Sequence, residues 1–313
     1  MGSCDDELLK LHSDTVSTLR KLYKLDKRED MDRAIDALED WLKKQYHFTK
    51  REYPREYLER SIIFMKGSVE RVKLQISNLC SMRTIFPNFF EKVDAINDFV
   101  HYEDPVWIDA FLPKLTKDNY RVYVMKFMKD GVTSDMLLDM YKLGVLKTEY
   151  VKAHDYANGF IGIIDYRNIN IMSLISAINI ITTHQIAKII MEGYGLRIKG
   201  IHSISSSKAI KTLAKLLKPI LSPKIFSRIH IHSKIESLYD HVPKEILPME
   251  LGGSGESLVP LTERLKAAIG TKENVDYMRE MSNAVSKEAH KMKETLNNLD
   301  LGVAGTFRAL SID

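Results

Sequence analysis

The chain has 313 residues, a mass of 36.0 kDa and a formal net charge of +4, long enough for one or two domains with a sizeable core. Hydrophobic residues make up 44% and charged residues 28%, ordinary globular usage, and the small net charge excludes nucleic-acid affinity spread over the whole surface. With only Cys4 and Cys80 and no CxxC spacing, the sequence argues against a disulfide framework or a structural zinc site and fits a reducing compartment.

The N-terminal MGSCDDELLK lacks the apolar core of a signal peptide, and its Gly2 is followed by Asp6 where a myristoylation motif wants Ser or Thr. Residues 5–95 read as helices. Asp30 is a candidate N-cap for a helix to about Gln45, with Met31, Ile35, Leu38 and Leu42 at helical spacing. A second helix is expected from Arg55 to Met65, then a turn at Lys66-Gly67-Ser68. A third, capped by Ser68, is expected from Val69 to about Thr84, ending before Pro87.

After Pro113 the period changes. Val122–Met125 is a short β-rich run, Asp135–Thr148 reads as a helix, and the apolar GFIGIID at 159–165 reads as a strand covered on both faces. One long helix is expected over Ile171–Tyr194; its polar interruptions at Asn179, His184, Gln185 and Lys188 argue against a membrane span. A strand at Arg197–Ser203, a helix at Ala209–Leu217 and a strand at Arg228–Ser233 follow. The alternation of strand and helix implies an α/β unit with a mostly parallel sheet. Pro and Gly residues at 242–255 close that unit, and Leu258–Leu299 reads as a charged C-terminal helix followed by a tail.

The stretch 193–235 carries nine Lys and Arg residues and no acid, in a chain whose net charge is only +4. At about 100° per residue, Lys208, Lys211, Lys215 and Lys218 fall on one stripe of the helix. Ile210, Leu213, Ala214, Leu217, Ile220 and Leu221 fall on the opposite arc. Such a helix suits a boundary between an apolar interior and an anionic surface, although a solvated lysine face on an ordinary surface helix has the same pattern.

In order, LRIKGIH, LLKPILSPKIFSRIHIH and VPKEILPMELGG over residues 196–253 resemble the consecutive signatures of the CRAL-TRIO lipid-binding family, which includes retinaldehyde-binding and tocopherol-transfer proteins. GFIGIIDYRNINI resembles that family's central strand and turn, with Asn168 where Gly is usual. The upstream YLERSIIFMKGSVERVKLQISNLCSMRTIFPNFF is similar to its helical N-terminal module, and GTFRALSID is like the tail of many insect members. The resemblance implies a helical module at 1–95, a lipid-binding α/β domain at 96–255, and a C-terminal helix and tail at 256–313. It further implies one hydrophobic ligand held between the sheet and a mobile gate helix, with no chemistry done on that ligand.

The gate then falls on residues 206–222, with Ile210, Leu213, Leu217, Ile220 and Leu221 closing the pocket. Phe160, Gly162 and Ile164 alternate onto one strand face and, with Ile198 on the next strand, are candidate pocket walls. Ile178, Ile186, Ile189, Ile190 and Tyr194 offer helical faces to the same pocket; plain core packing is the alternative for each. Some members hold a phosphoinositide headgroup in a basic cleft. Arg197, Lys199, Lys224 and Arg228 stand at matching positions, whereas a further basic position in the N-terminal module is Ile63 here. Arg228 is also open to a structural pairing with a carboxylate.

Gly252–Glu256 is not a nucleophile elbow, because Glu256 takes the final glycine position. His230 and His232 share a strand face with no third ligand in view, and no phosphate-binding loop or dinucleotide fingerprint is present. The expectation is a cytoplasmic lipid-transfer protein, reversibly peripheral to membranes. Its partners would be a hydrophobic ligand and an anionic membrane surface that can include phosphoinositide; no enzyme activity, nucleic acid, metal or other cofactor is expected. The rival reading is a lipid-regulated adaptor whose C-terminal helix and tail bind a protein.

Overall fold

A computed structural model describes residues 8–99 and 105–289. The N-terminal part is helical: α1 (Thr15–Leu22), α2 (Arg28–Lys43), α3 (Arg55–Phe64) and α4 (Val69–Ile85). Met31, Ile35, Leu38 and Leu42 form one buried stripe on α2, as their spacing demands. They pack with Leu19, Leu58, Ile62, Ile63, Val72 and Ile76, so α1 joins the three helices expected from residue spacing. Ser68 caps α4, its hydroxyl accepting from the Arg71 amide.

A five-stranded sheet follows in the order β1 (Trp107–Phe111), β2 (Tyr120–Phe127), β3 (Gly159–Asp165), β4 (Ile198–Ile204) and β5 (Ile229–His232). Only β1 runs antiparallel to its neighbour; β2 to β5 are parallel, as crossovers through helices require. Those crossovers carry α5 (Ser134–His154), α6 (Ile171–Ala177), α7 (Ile180–Lys188), α8 (Ile210–Leu217) and the short α9 (Pro223–Phe226). One sheet face, bearing Phe160 and Met125, packs in the same core as α5, α6 and α8. The other, bearing Val122, Val124, Ile161, Ile163 and Ile204, is covered by Leu238, Val242, Leu247 and Leu251 and by α10 (Leu258–Ile269). β3 is therefore enclosed on both sides.

Two expected helices are broken. The segment 171–194 turns by 83° between α6 and α7, where Asn179 leaves helical geometry and its side chain accepts from the Thr182 amide. It ends in a π-helical turn, Ile189–Gly193. The C-terminal helix stops at Gly270 and resumes as α11 (Lys272–Ser282), capped by Thr271. Leu265, Ile269 and Met278 belong to the main core; residues 290–299 and the tail lie outside the described residues. No described helix is long and apolar enough to cross a membrane.

Buried ion pairs join these parts. Arg83 on α4 meets Glu149 on α5 at 2.9 Å, and Tyr277 on α11 donates to the same carboxylate at 2.8 Å. Arg121 on β2 binds Asp155 through two 2.8 Å contacts, both side chains wholly buried. Lys152 is buried with its ammonium 2.9 Å from Gln75 Oε1, and desolvation lowers its pKa from the ordinary 10.5 to about 8.

Candidate functional site

An apolar cavity of about 320 Å³ lies between the sheet and the helices α7 and α8. Its floor is built by strand register: Ile164 pairs with Ser203 and Ser203 with Ile231, while Ile201 pairs with Ile229. Ile198 shares this floor because β4 carries an irregularity. Phe160 pairs with Ile198 but Ile161 with Gly200, so Lys199 is the extra residue and the alternation reverses after it. Ile186 and Ile190 form a wall. The roof is α8 and the turn beyond it, with Ile210, Leu213, Ala214, Leu217, Ile220 and Leu221 all lining the cavity. The polar groups at its edge are few: Tyr166, Ser203, and the Tyr141 hydroxyl, which lies 3.0 Å from Thr183 Oγ1.

Of the pocket residues expected from sequence, Ile164, Ile186, Ile190 and Ile198 meet around this space. Phe160 does not; it stacks on Phe64 of the helical module, ring centroids 5.8 Å apart. Ile189 and Tyr194 are buried against Leu79 and Met82, because the π-helical turn aims them at α4. Ile178 sits at the bend and packs on the main core. Gly162 does not touch the cavity, but shares the face of Ile164 and Ile201, and a Cβ there would meet nothing within 4 Å. Sequence reasoning missed Ile201 and Ser203, whose parity the bulge hides, as well as Ile229 and Ile231 on β5 and Ile225 on α9. A second groove of about 490 Å³ lies apart from it, lined by Tyr57, Tyr150, Ala153 and Tyr277 but edged by the charged or titratable Glu56, Arg60, His154 and Glu273.

Beside the cavity is a basic cleft of about 290 Å³. Arg197 and Lys199 enter it from the start of β4, and Lys224 and Arg228 from around α9. Two further cations, Lys66 and Arg71, come from the helical module. Ile63 is buried in the module core and does not line the cleft. The charge comes instead from the turn after α3, where Lys66 takes φ 58° and Gly67 φ 75°. Gly67 is required there, since a Cβ would meet the Tyr23 carbonyl oxygen at 2.9 Å.

Among the described residues none of the six cations forms an ion pair with a carboxylate. Arg197 donates to the Tyr23 hydroxyl at 2.6 Å, Lys199 lies over the Tyr120 ring, and Arg228 donates to the Ile198 carbonyl. Desolvation and the neighbouring cations push the pKa values of Lys66 and Lys199 down. Uncompensated positive charge of this kind favours an anion. Lys208, Lys211, Lys215 and Lys218 are exposed on the outer side of the cavity's roof.

The fold and the cavity define an α/β protein organised around a partly open apolar cavity with a cationic cleft at its side. Residues 110–253 match the CRAL/TRIO domain, so the chain carries a domain of that family. It is similar to proteins named alpha-tocopherol transfer protein-like. The mouse protein is 24% identical over 248 residues and the human protein 26% over 240 residues, in each case covering 72% of this chain. The match spans 66% of the length of each relative. The "Crystal structure of Sfh5" aligns over 86% of this chain and 100% of that one, with a TM-score of 0.44 at 11% identity.

Proposed function

We propose that the protein binds one lipophilic molecule in the 320 Å³ cavity and carries it between membranes, with α8 as the gate. The observation that carries this reading is the two-sided character of α8: its aliphatic face roofs the cavity while its lysines stand outside. Ile210 and Leu213 are buried, and exposing both to water costs about 3–6 kcal/mol. In water the roof stays closed. At a membrane the lipid tails receive the aliphatic face, and each lysine near an anionic surface contributes about 1 kcal/mol. Exposed Met172, Ile180 and Ile181 on α6 and α7 add apolar surface on the helices that precede the roof. The six-cation cleft suits a phosphorylated headgroup such as that of a phosphoinositide.

The relatives' name suggests a tocopherol-like ligand, and the cavity's chemistry agrees: aliphatic walls with a few hydroxyls at the edge suit a mostly apolar molecule with one polar end. Exchange needs binding alone, so no catalytic group is invoked, and the working location is the cytoplasmic face of a membrane. Native mass spectrometry of purified protein tests the reading. A bound lipophilic adduct, or uptake of tocopherol, retinoid or phospholipid by ligand-free protein, is expected; protein that remains empty after incubation with all three overturns it.

A further inference from the structure

On the sheet face opposite the cavity, β4 and β5 present His202, His230 and His232, and His241 approaches from the segment that follows β5. We propose that His202, His232 and His241 form a binding site for one divalent transition-metal ion of the zinc class. One ring nitrogen of each lies within 4.8 Å of the other two. Three imidazoles on a tetrahedral zinc, with bonds of about 2.0–2.1 Å, place their donor atoms about 3.3 Å apart. His202 Nδ1 and His232 Nε2 are already 3.0 Å apart. His241 is exposed, so its ring is free to close the remaining gap, and the same exposure gives the ion a path in.

The surroundings fix which atoms face the ion. Ser237 Oγ donates its proton to the Lys234 carbonyl at 2.9 Å, so it accepts from His232 Nδ1 at 2.7 Å. That bond holds the His232 proton on Nδ1 and leaves the Nε2 lone pair directed at His202, the outer-shell support typical of metal-binding histidine. Gly200 makes room for the His202 ring, since a Cβ there would lie 2.7 Å from His202 Nε2. His230 stacks on His202 with ring centroids 4.9 Å apart and a 12° angle, and lies 4.6 Å from His241, walling the site. An all-imidazole donor set suits zinc, copper and nickel, not magnesium or calcium. The ion would tie β4, β5 and the following segment together directly behind Ser203 and Ile231 of the cavity floor.

The test uses untagged full-length protein stripped with EDTA and titrated with Co2+, read by visible absorption, then displaced with Zn2+. Binding of one equivalent in the micromolar range with a tetrahedral-type spectrum is expected. His241→Ala, at an exposed position that leaves the fold intact, is expected to weaken binding at least about tenfold. His184→Ala, at an exposed histidine on α7, is expected to change nothing. Wild-type protein that shows no cobalt spectrum, or His241→Ala protein that binds as tightly as wild type, overturns the proposal.

Discussion

Arg83 and Glu149 meet at 2.9 Å with only 2% of either side chain exposed, and the pair bridges α4 of the helical module and α5 of the sheet domain. Each charge is tolerated because the other is present, and Tyr277 supplies a further hydrogen bond from α11. Removing one partner leaves a buried charge uncompensated, at a cost of about 3–5 kcal/mol. Glu149→Leu is therefore expected to lower the urea midpoint sharply. Arg83→Met combined with Glu149→Leu is expected to recover much of that loss. A double variant as unstable as the sum of the singles contradicts this account.

Lys152 gives a pH dependence with a defined sign. Its pKa is lowered to about 8 in the folded protein, against 10.5 when solvated. Between these values the unfolded chain binds the extra proton, so folding becomes more favourable as pH rises through that window. Below it the burial penalty is present in full, about 3 kcal/mol for a shift of this size. Lys152→Met removes the penalty. Its stability relative to wild type is expected to be greatest at pH 7 and to shrink towards pH 10, measured by urea unfolding at each pH.

Gly162 separates ligand capacity from stability. A side chain added there projects into open space on the sheet face that floors the cavity. A strand glycine also forfeits about 0.5–1 kcal/mol relative to alanine. Gly162→Val is expected to keep or raise the melting temperature while lowering uptake of a fluorescent lipophilic probe. Unchanged uptake would place the ligand elsewhere.

The basic cleft predicts a vesicle-binding phenotype for residues of the helical module. Lys66→Ala is expected to weaken binding to phosphoinositide-containing vesicles about fivefold, and Lys66→Ala with Arg71→Ala about 20–30-fold, at about 1 kcal/mol per cation. The effect is expected to fade as salt is raised. Flotation assays that show equal binding for both variants in low salt would remove the cleft from the docking surface.

Lys211→Glu with Lys215→Glu tests the roof itself. Both side chains are exposed, so the fold and ligand capacity are expected to persist while affinity for anionic vesicles falls. A loss of ligand capacity equal to the loss of vesicle binding would mean that the lysines serve the closed state instead.

The helical periods and the parallel strands were readable because each rests on local spacing: the α2 stripe at Met31, Ile35, Leu38 and Leu42 is buried as spaced. The roof of the cavity was readable for the same reason. What escaped depends on irregularity or on distance along the chain. The extra residue at Lys199 reverses the parity of β4, so counting from Ile198 puts Ile201 and Ser203 on the wrong face. The π-helical turn redirects Ile189 and Tyr194. Lys66 reaches the cleft, and His241 reaches the other histidines, only through tertiary packing, which no local pattern announces. β1 is a fifth strand whose five residues are all buried and so show no alternation to read.

The four residues of β5 serve two surfaces at once, Ile229 and Ile231 upward into the cavity and His230 and His232 downward into the imidazole cluster. Because side chains alternate strictly, one residue inserted or deleted within this strand would exchange grease for imidazole on both faces. The edge of the sheet can therefore drift by substitution within each set, aliphatic for aliphatic, but not by length. A loop graft or domain chimera that joins the chain between Arg228 and Ser233 must preserve the residue count, or it forfeits the floor and the cluster together.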